Sequence, residues 1–437
     1  MTKRLFYAII LKNIEFKGEI ALEDIYYALN PWWEGKDFES GIPRQVYLDK
    51  LSKNIERKQI EIIAGSRRIG KTTVLRQIAR HVLEKKIPAK NILFLSLDHP
   101  RLSGVPLTEH LNYFRRIFKL RREEKVYLFL DEVQESANWE AELKAIYDNE
   151  NVKIICSGST PSLIRNQGGR LTGRQITTVL YPLDLKEFLS FRKETPSQSE
   201  NYRYENLAED YLSTGGYPEN VLNPSDEYLN NLLQDILAKD LAGSFHPKKQ
   251  NIFRDLMRLL AAGVSSRTSF NRLSNILGIS LDTVKEYIAY LESSFLIKSV
   301  EKWSASYTDR IYSTKKIYFI DTGLQSLFTG RSSLGAKAEN AVLMYFLRKG
   351  EQCGYFAESE REIDFAHGAY ENPAGTEVKY VSEFNWKDKK FSGVRLFLAR
   401  FPAAKEITIV TKSAEDEMKA SSARITVIPL WKFLLRF

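Results

Sequence analysis

The sequence predicts an α/β protein with a parallel sheet in its first half, a helical region in the middle and a small α/β domain at the end. Three observations predict this class. They are a strand–loop–helix pattern over residues 60–83, an apolar run ending in two acids at 126–132, and alternating segments at 361–366 and 376–381. Continuous apolar runs are typical of strands buried on both faces, and alternating runs of strands buried on one face.

The first pattern surrounds a glycine-rich loop. Residues 65–72 read Gly-Ser-Arg-Arg-Ile-Gly-Lys-Thr and fit the phosphate-binding pattern GxxxxGK[ST] between a short strand and a helix. Its glycines let successive N–H groups face phosphate oxygens at a helix N-terminus. We expect Lys71 to reach the β- and γ-phosphates of ATP and the Thr72 hydroxyl to bind Mg²⁺. The residues expected to contact the nucleotide are Gly65, Ser66, Arg67, Arg68, Ile69, Gly70, Lys71, Thr72 and Thr73.

Two acids follow the apolar run Val126–Leu130. Ligands of open α/β sheets bind outside the carboxyl ends of the strands, which is where these acids are expected to lie. Asp131 is the expected Mg²⁺ partner through water, and Glu132 is placed to polarise the water that attacks the γ-phosphate. An acidic helix start would show the same residues, but the phosphate loop in the same chain favours the nucleotide site.

Two more apolar runs complete the predicted sheet. Residues 91–97 form a strand between the loop helix and the acidic strand, an order that, with Glu132 after Asp131, is typical of hydrolytic ATPases rather than kinases or small GTPases. Residues 152–156 form a strand that ends in Ser157-Gly158-Ser159-Thr160. A hydroxyl there, with Ser159 as the candidate, could sense the γ-phosphate; an ordinary Ser/Gly turn is the alternative.

These stretches resemble a large family of prokaryotic AAA-type ATPases. The matching segments are 64–72, 129–134, 171–174, 181–183, 215–219 and 316–324. The resemblance extends from about residue 43 to the C-terminus and implies an ATPase domain followed by a restriction-endonuclease-like core, while Asn-Pro-Trp-Trp at 30–33 is similar to archaeal members. It also implies a homo-oligomer. Arg174 is then a candidate finger for the active site of a neighbouring subunit, or alternatively a lid or structural arginine.

Composition sets outer bounds. The 437 residues carry a formal net charge of +9, which suits two or three domains and permits a polyanionic partner such as DNA. No run is long enough to cross a membrane, and two cysteines in separate predicted elements indicate free thiols in a reducing cytoplasm. Basic residues cluster at Arg115, Arg116, Lys119, Arg121 and Arg122, and at Lys387, Lys389 and Lys390. Such clusters also decorate solvated faces, but the charge gives nucleic acid a lead over no polyanion at all.

The middle region predicts a helix–turn–helix with a wing. Helices are expected at 252–262, 268–277 and 281–295, the last capped by Ser280, and wing strands at 296–300 and 316–320. Acids outnumber bases on the exposed positions of the third helix, so a structural or protein-docking role is expected rather than sequence-specific DNA reading. The wing cations that could touch phosphates are Lys298, Lys302, Arg310, Lys315 and Lys316.

The last hundred residues predict a metal-dependent nuclease constellation. Alternation places Asp364 on one face of its strand and Glu377 with Lys379 on one face of the next, after a turn at residues 372–375. Glu339 lies on the apolar stripe of a preceding helix, where it needs a partner. Glu339, Asp364 and Glu377 would hold the metal, and Lys379 would orient or deprotonate the attacking water. A half-buried hairpin with charges on its outer face, and an arginine beside Glu339, are the alternatives.

The expected domains are an N-terminal extension (1–42), a parallel-sheet P-loop ATPase domain (43–193), a helical lid with winged helix (200–325) and a restriction-endonuclease-like α/β domain (332–437). The leading hypothesis is a Mg²⁺-dependent ATPase that couples hydrolysis to action on nucleic acid, with a metal-dependent nuclease domain. The alternative is an ATP-controlled switch or binding protein whose nuclease-like domain is inactive.

Overall fold

The computed structural model describes residues 22–158, 169–197, 199–241, 247–330 and 334–436. The chain divides after Leu180 into two compact units. This division falls before the sequence-based boundary at 193, because the helix Leu185–Phe191 packs within the second unit, with Phe188 against Tyr211.

The first unit contains a five-stranded sheet in the order β2-β3-β4-β1-β5, in which every neighbouring pair is parallel. Its strands are β1 (Ile60–Ala64), β2 (Ile92–Ser96), β3 (Val126–Asp131), β4 (Val152–Gly158) and β5 (Gln175–Val179). The helices around it are α1 (22–29), α2 (Gln45–Ser52), α3 (Lys71–Glu84), α4 (Leu107–Phe118) and α5 (Trp139–Asn149). Every residue of β1 and β3 is buried, as their continuous apolar runs predict.

The strand that separates the two phosphate-site motifs in space is β4, whereas β2 lies at the sheet edge. Along the chain, β2 lies between the two motifs. The order of strands in the sheet differs from this, because it depends on where each crossover connection places the next strand.

The N-terminal extension covers the edge strand β2. Asn30 pairs with Phe94 through both its amide groups, donating to the Phe94 carbonyl at 2.9 Å and accepting from its N–H at 2.6 Å. Trp33 donates to the Ile92 carbonyl at 2.9 Å. These side chains satisfy backbone groups that an open edge would leave unpaired, which gives residues 30–33 a structural role.

The second unit begins with helices and a small sheet. Its first helices are α6 (Leu185–Phe191), α7 (Asn201–Thr214), α8 (Pro218–Leu222), α9 (Asp226–Leu241), α10 (Pro247–Ala262), α11 (Phe270–Leu277) and α12 (Leu281–Ser293). Strands β6 (Arg267–Thr268), β7 (Ile297–Val300) and β8 (Lys315–Phe319) form an antiparallel sheet in the order β6-β8-β7, with α13 (Tyr307–Tyr312) in the hairpin. The Ser280 hydroxyl accepts from the Thr283 N–H at 3.1 Å and caps α12, as expected.

A glycine-rich joint connects α7 with α14 (Thr322–Thr329). Asp321 caps α14 by accepting from the Leu324 N–H at 2.9 Å, and its other oxygen accepts from the Gly216 N–H at 2.6 Å. A Cβ on Gly323 would lie 2.3 Å from the Thr214 carbonyl oxygen, so the two segments approach through a position that only glycine fits.

The C-terminal part is a six-stranded sheet in the order β13-β14-β12-β11-β10-β9, packed with α15 (Leu334–Lys349), α16 (Ser392–Arg400) and α17 (Leu430–Leu434). Its strands are β9 (Cys353–Glu358), β10 (Arg361–Ala369), β11 (Asn372–Val378), β12 (Glu406–Thr411), β13 (Asp416–Ala420) and β14 (Ala423–Pro429).

Strands β10 and β11 pair antiparallel, but the turn predicted at 372–375 lies earlier, at residues 370–371. Pro373 is tolerated in β11 because β12 pairs with that strand only from Gly375 onward, so the missing N–H can face an unpaired side. Gly375 serves packing, since a Cβ there would lie 2.6 Å from Ile363 Cδ1.

Within the described ranges, no helix has the length and apolar character needed to cross a membrane. Cys156 and Cys353 are free thiols.

Candidate functional site

The phosphate loop is shaped by two close backbone features. The Leu180 N–H donates to the Ala64 carbonyl at 2.7 Å, and a Cβ on Gly65 would lie 2.6 Å from the Leu180 carbonyl oxygen, so the loop starts against the chain that follows β5. Arg68 and Gly70 then adopt left-handed conformations, with φ of 57° and 96°. This turns the backbone into the N-terminus of α3, where the first N–H groups lack helical partners.

Lys71 lies at the start of α3 with its side chain only 3% exposed. Its ammonium donates to the carbonyls of Gly65 at 3.2 Å and Ser66 at 3.0 Å, and lies 3.8 Å from Glu132 Oε1. The lysine is therefore folded over the loop whose N–H groups would contact phosphate.

Thr72, Asp131 and Ser157 form a hydrogen-bonded chain across the carboxyl ends of β3 and β4. The Thr72 hydroxyl donates to Asp131 Oδ2 at 2.7 Å, and the Ser157 hydroxyl donates to Asp131 Oδ1. Burial raises the pKa of Asp131 above its usual range, and the two hydroxyls partly offset this. A divalent cation beside this carboxylate would favour its ionised form.

Glu132 follows β3 in the left-handed region, with φ of 51°. Its N–H donates to the Ser157 hydroxyl at 3.2 Å, and Gln134 donates to its carboxylate at 2.5 Å. Such a conformation is costly for a non-glycine residue and is retained where surrounding contacts fix it. The Glu132 carboxylate is thereby held on the Lys71 side of the sheet edge.

The remaining predicted nucleotide residues differ in placement. Ser66, Arg67 and Ile69 lie in the loop and Thr73 on α3, whereas Ser159 lies outside the described residues. The sequence does not predict Ser157 as the Asp131 partner, because no local pattern distinguishes it from Ser159 in the same Ser/Gly segment. It also does not predict Arg44, which is buried and donates to the Ile69 carbonyl at 3.4 Å, because no motif precedes the loop there.

Arg174 lies at the other end of the sheet from the phosphate loop. Its carbonyl accepts from the Ile60 N–H at 2.8 Å, at the start of β1, whereas the loop follows the end of that strand. The length of β1 separates the two by roughly 13 Å. Its guanidinium pairs with Asp148 at 2.9 Å and remains part-exposed. The arginine is therefore outside the nucleotide site of its own subunit.

The acidic centre of the C-terminal part brings together all four predicted residues. Lys379 Nζ lies 2.5 Å from Glu377 Oε1 and 3.9 Å from Asp364 Oδ2. The Asp364 N–H donates to Glu377 Oε2 at 3.1 Å. Glu339 lies on α15 and is joined to Asp364 by a fifth residue, Lys316 of β8. The Lys316 ammonium lies 3.1 Å from Glu339 and 2.9 Å from Asp364.

Lys316 corrects two expectations. The sequence predicts it as a wing cation available to phosphate, but its side chain is 0% exposed. The partners of Glu339 are this lysine and the Tyr318 hydroxyl, which donates at 2.6 Å, rather than the arginine given as the alternative. Across the part of the chain that the structure describes, no group of three or more His, Cys, Asp or Glu side chains could hold a metal ion.

Electrostatics in this centre follow from burial and crowding. Burial and the charge of Asp364 raise the pKa of Glu339 to about 7 and that of Glu377 to about 8. Burial opposes ionisation of Asp364, but Lys316 and Lys379 lower its pKa below the usual value. Asp364 is thus the carboxylate that the two lysines hold most firmly in its charged form.

Two family models match the chain. Residues 57–189 match an AAA domain and residues 205–334 match a domain of unknown function. The first match covers the phosphate loop, the acidic strand and all five strands of the parallel sheet, and it supports an ATP-binding domain of AAA type over those residues.

Relatives extend over most of the chain. An uncharacterized protein of Haemophilus influenzae is 27% identical over 335 residues, 74% of this chain and 83% of its own length. An uncharacterized protein of Methanocaldococcus jannaschii is 26% identical over 436 residues, 92% of this chain and 89% of its own length. Both alignments therefore extend beyond residues 57–189, which match the AAA domain.

Solved structures resemble the chain only loosely. AMPPCP-bound DnaA from Aquifex aeolicus is 17% identical with a TM-score of 0.27, covering 60% of this chain and 92% of that one. The Hsp104–ADP complex of S. cerevisiae is 15% identical with a TM-score of 0.31, covering 58% and 38%. At these TM-scores, the functions of the two proteins are not assigned to this chain.

Proposed function

We propose that this chain is a Mg²⁺-dependent ATPase. The observation that carries the proposal is the contact at 2.7 Å between the Thr72 hydroxyl and Asp131 Oδ2, with Lys71 and Glu132 on the same sheet edge. This pairing joins the hydroxyl and the carboxylate that hold Mg²⁺ in P-loop ATPases.

The residues present fit both ATP and Mg²⁺. Gly65 lets the loop start directly against the Leu180 carbonyl, and Lys71 can leave its two carbonyl partners for phosphate oxygens. Thr72 and Asp131 would hold Mg²⁺, which when bound supplies positive charge against the phosphates. Glu132 would accept a hydrogen bond from the attacking water and orient it for in-line attack.

The test separates binding from hydrolysis. Lys71→Ala should abolish binding of a fluorescent ATP analogue, because Lys71 holds phosphate in the ground state. Glu132→Gln should bind normally and lower phosphate release by about 10²-fold or more, because its carboxylate acts only on water. Glu135→Gln, three residues along, is the matched control and should leave both properties unchanged. Equal nucleotide affinity in wild type and Lys71→Ala would overturn the site.

Nucleic acid is the proposed partner class. Support comes from the net charge of +9 and from cations that stay exposed, among them Arg116, Arg121 and Lys389. Arg115 and Lys316 do not contribute to this exposed charge, because both side chains are buried. Duplex and single-stranded DNA should stimulate ATP hydrolysis, and the stimulation should fall steeply over a salt series as counterions compete. A rate that is independent of DNA at every salt concentration would favour the alternative, an ATP-controlled switch.

We also propose that the second unit contains a winged helix and a restriction-endonuclease-like core. Support for the first is the run α10, α11, α12 followed by the β7–β8 hairpin, with β6 pairing on β8. Support for the second is the mixed sheet that carries Asp364, Glu377 and Lys379. No cleavage step is assigned to this core, because Lys316 lies among the carboxylates that a metal would need.

A further inference from the structure

We infer that Lys316 is the built-in cation of the acidic centre and occupies the place of a divalent metal, so that this centre binds no Mg²⁺ or Mn²⁺. The inference concerns a part of the chain remote in sequence from the phosphate loop and does not depend on ATP hydrolysis.

The geometry of the lysine is that of a shared cation. One ammonium lies 3.1 Å from Glu339, 3.1 Å from Glu362 and 2.9 Å from Asp364. The ammonium donates hydrogen bonds to Glu339 and Asp364 and forms an ion pair with Glu362, so three carboxylates share its charge. Carboxylates this close repel each other unless a cation neutralises them, which is the role that a metal has in a nuclease.

The lysine is fixed in position by the sheet that carries it. Lys316 lies on the central strand β8 and is paired with Arg267 on one side and Val300 on the other. The next residue with a side chain on the same face, Tyr318, donates to Glu339 at 2.6 Å. Asn340 of α15 exchanges two hydrogen bonds with the Phe319 backbone, at 2.7 and 2.9 Å. These contacts fix the strand from which the Lys316 side chain extends into the centre.

A second lysine closes the other side of the centre. Lys379 lies 2.5 Å from Glu377 Oε1, and the remaining oxygen of Asp364 accepts from the Val378 N–H at 2.9 Å. Each carboxylate oxygen of Asp364 therefore already has a partner. A divalent ion would need several of these oxygens at about 2.0–2.6 Å, and they are engaged by lysines and backbone instead.

The first experiment uses the wild-type chain without nucleotide. Mn²⁺ binding is followed by the loss of the free-ion signal in electron paramagnetic resonance, and wild type is compared with Glu377→Gln, a nearly isosteric change. The expected result is the same Mn²⁺ stoichiometry for both proteins. One Mn²⁺ per chain that is present in wild type and lost in Glu377→Gln would overturn the inference.

The second experiment removes the internal cation. Lys316→Ala should gain one Mn²⁺ site, and Mn²⁺ should raise its melting temperature while leaving that of wild type unchanged. Lys315→Ala is the matched control, since its ammonium pairs with Glu301 at 3.0 Å, outside the centre. A folded Lys316→Ala protein with no added Mn²⁺ site would show that the lysine does not take a metal's place. If that variant fails to fold, the comparison of wild type with Glu377→Gln still decides the inference.

Discussion

At the scale of single residues, two buried carboxylates in this chain accept hydrogen bonds from residues that lie far from them in the sequence. Asp131 depends on Thr72 and Ser157, and Asp321 on the Gly216 and Leu324 N–H groups. Each joins segments that are far apart in the sequence. Such groups make stability and binding depend on protonation.

Asp321 gives a pH-dependent prediction. Burial raises its pKa to about 6, while the backbone donors and Arg348 act in the opposite direction. The unfolded chain has a value near 3.9 for this group, so between about pH 4 and pH 6 the folded state binds more protons than the unfolded state. Stability should therefore fall as pH rises through this window, by on the order of 3 kcal/mol from this residue.

The measurement compares wild type with Asp321→Asn by calorimetry from pH 4 to pH 7. The stability advantage of wild type should shrink as pH rises, because only the carboxyl titrates. Asp282→Asn is the control, since that side chain is 94% exposed and should give a constant difference. An advantage for wild type over Asp321→Asn that grows with pH would contradict the assignment.

At the scale of elements, the phosphate loop depends on the chain after β5 as much as on its own glycines. The Leu180 backbone bonds to Ala64 and leaves no room for a side chain at position 65. The loop conformation is therefore a property of the β1–β5 edge and of the left-handed residues at 68 and 70 together.

Gly65→Ala should displace the loop. The added methyl would meet a backbone oxygen at 2.6 Å, which cannot move aside cheaply, and we expect a loss of about 1–3 kcal/mol in stability. We expect this strain to be greater with nucleotide bound than without it. The affinity for a fluorescent ATP analogue should therefore fall about tenfold or more. Gly104→Ala is the control, because no atom lies within 4 Å of its added methyl. Unchanged affinity in Gly65→Ala would show that the loop tolerates the shift.

At the scale of the whole molecule, the position of Arg174 bears on assembly. It lies at the end of β1 opposite the phosphate loop and pairs with Asp148. A finger at that place can act only on a neighbouring subunit, so we propose that ATP brings chains together. Light scattering with ATP on the Glu132→Gln protein should detect the oligomer.

Mixing variants tests the trans role directly. Arg174→Ala should lower ATP hydrolysis by about 10³-fold, as removal of an arginine finger does. Mixed with the inactive Lys71→Ala protein, it should regain activity. In such a mixed oligomer, the Arg174→Ala subunit supplies Lys71 and its Lys71→Ala neighbour supplies Arg174 to the same site. Arg170→Ala, an exposed arginine four residues earlier, should keep full activity. A monomer with full ATPase activity, or no recovery on mixing, would exclude the finger.

The phosphate-loop residues, and the grouping of Glu377 with Lys379, could be predicted from sequence because these residues stand in local patterns. The phosphate loop lies within eight consecutive residues, the acids follow one apolar run, and alternation puts Glu377 and Lys379 on one face. Helical periodicity also predicts α10, α11 and α12, and the serine before the last of these predicts its cap.

Only the tertiary structure decided which distant residues meet. The sequence marks Lys316 as one wing cation among five, and nothing local shows that its strand inserts it between Glu339 and Asp364. Nothing local shows that β4 separates the two phosphate-site strands, that Ser157 bonds to Asp131, or that Arg174 lies at the far end of β1. Periodicity fixes the face of a side chain on its own element, whereas its partner depends on how separate elements pack.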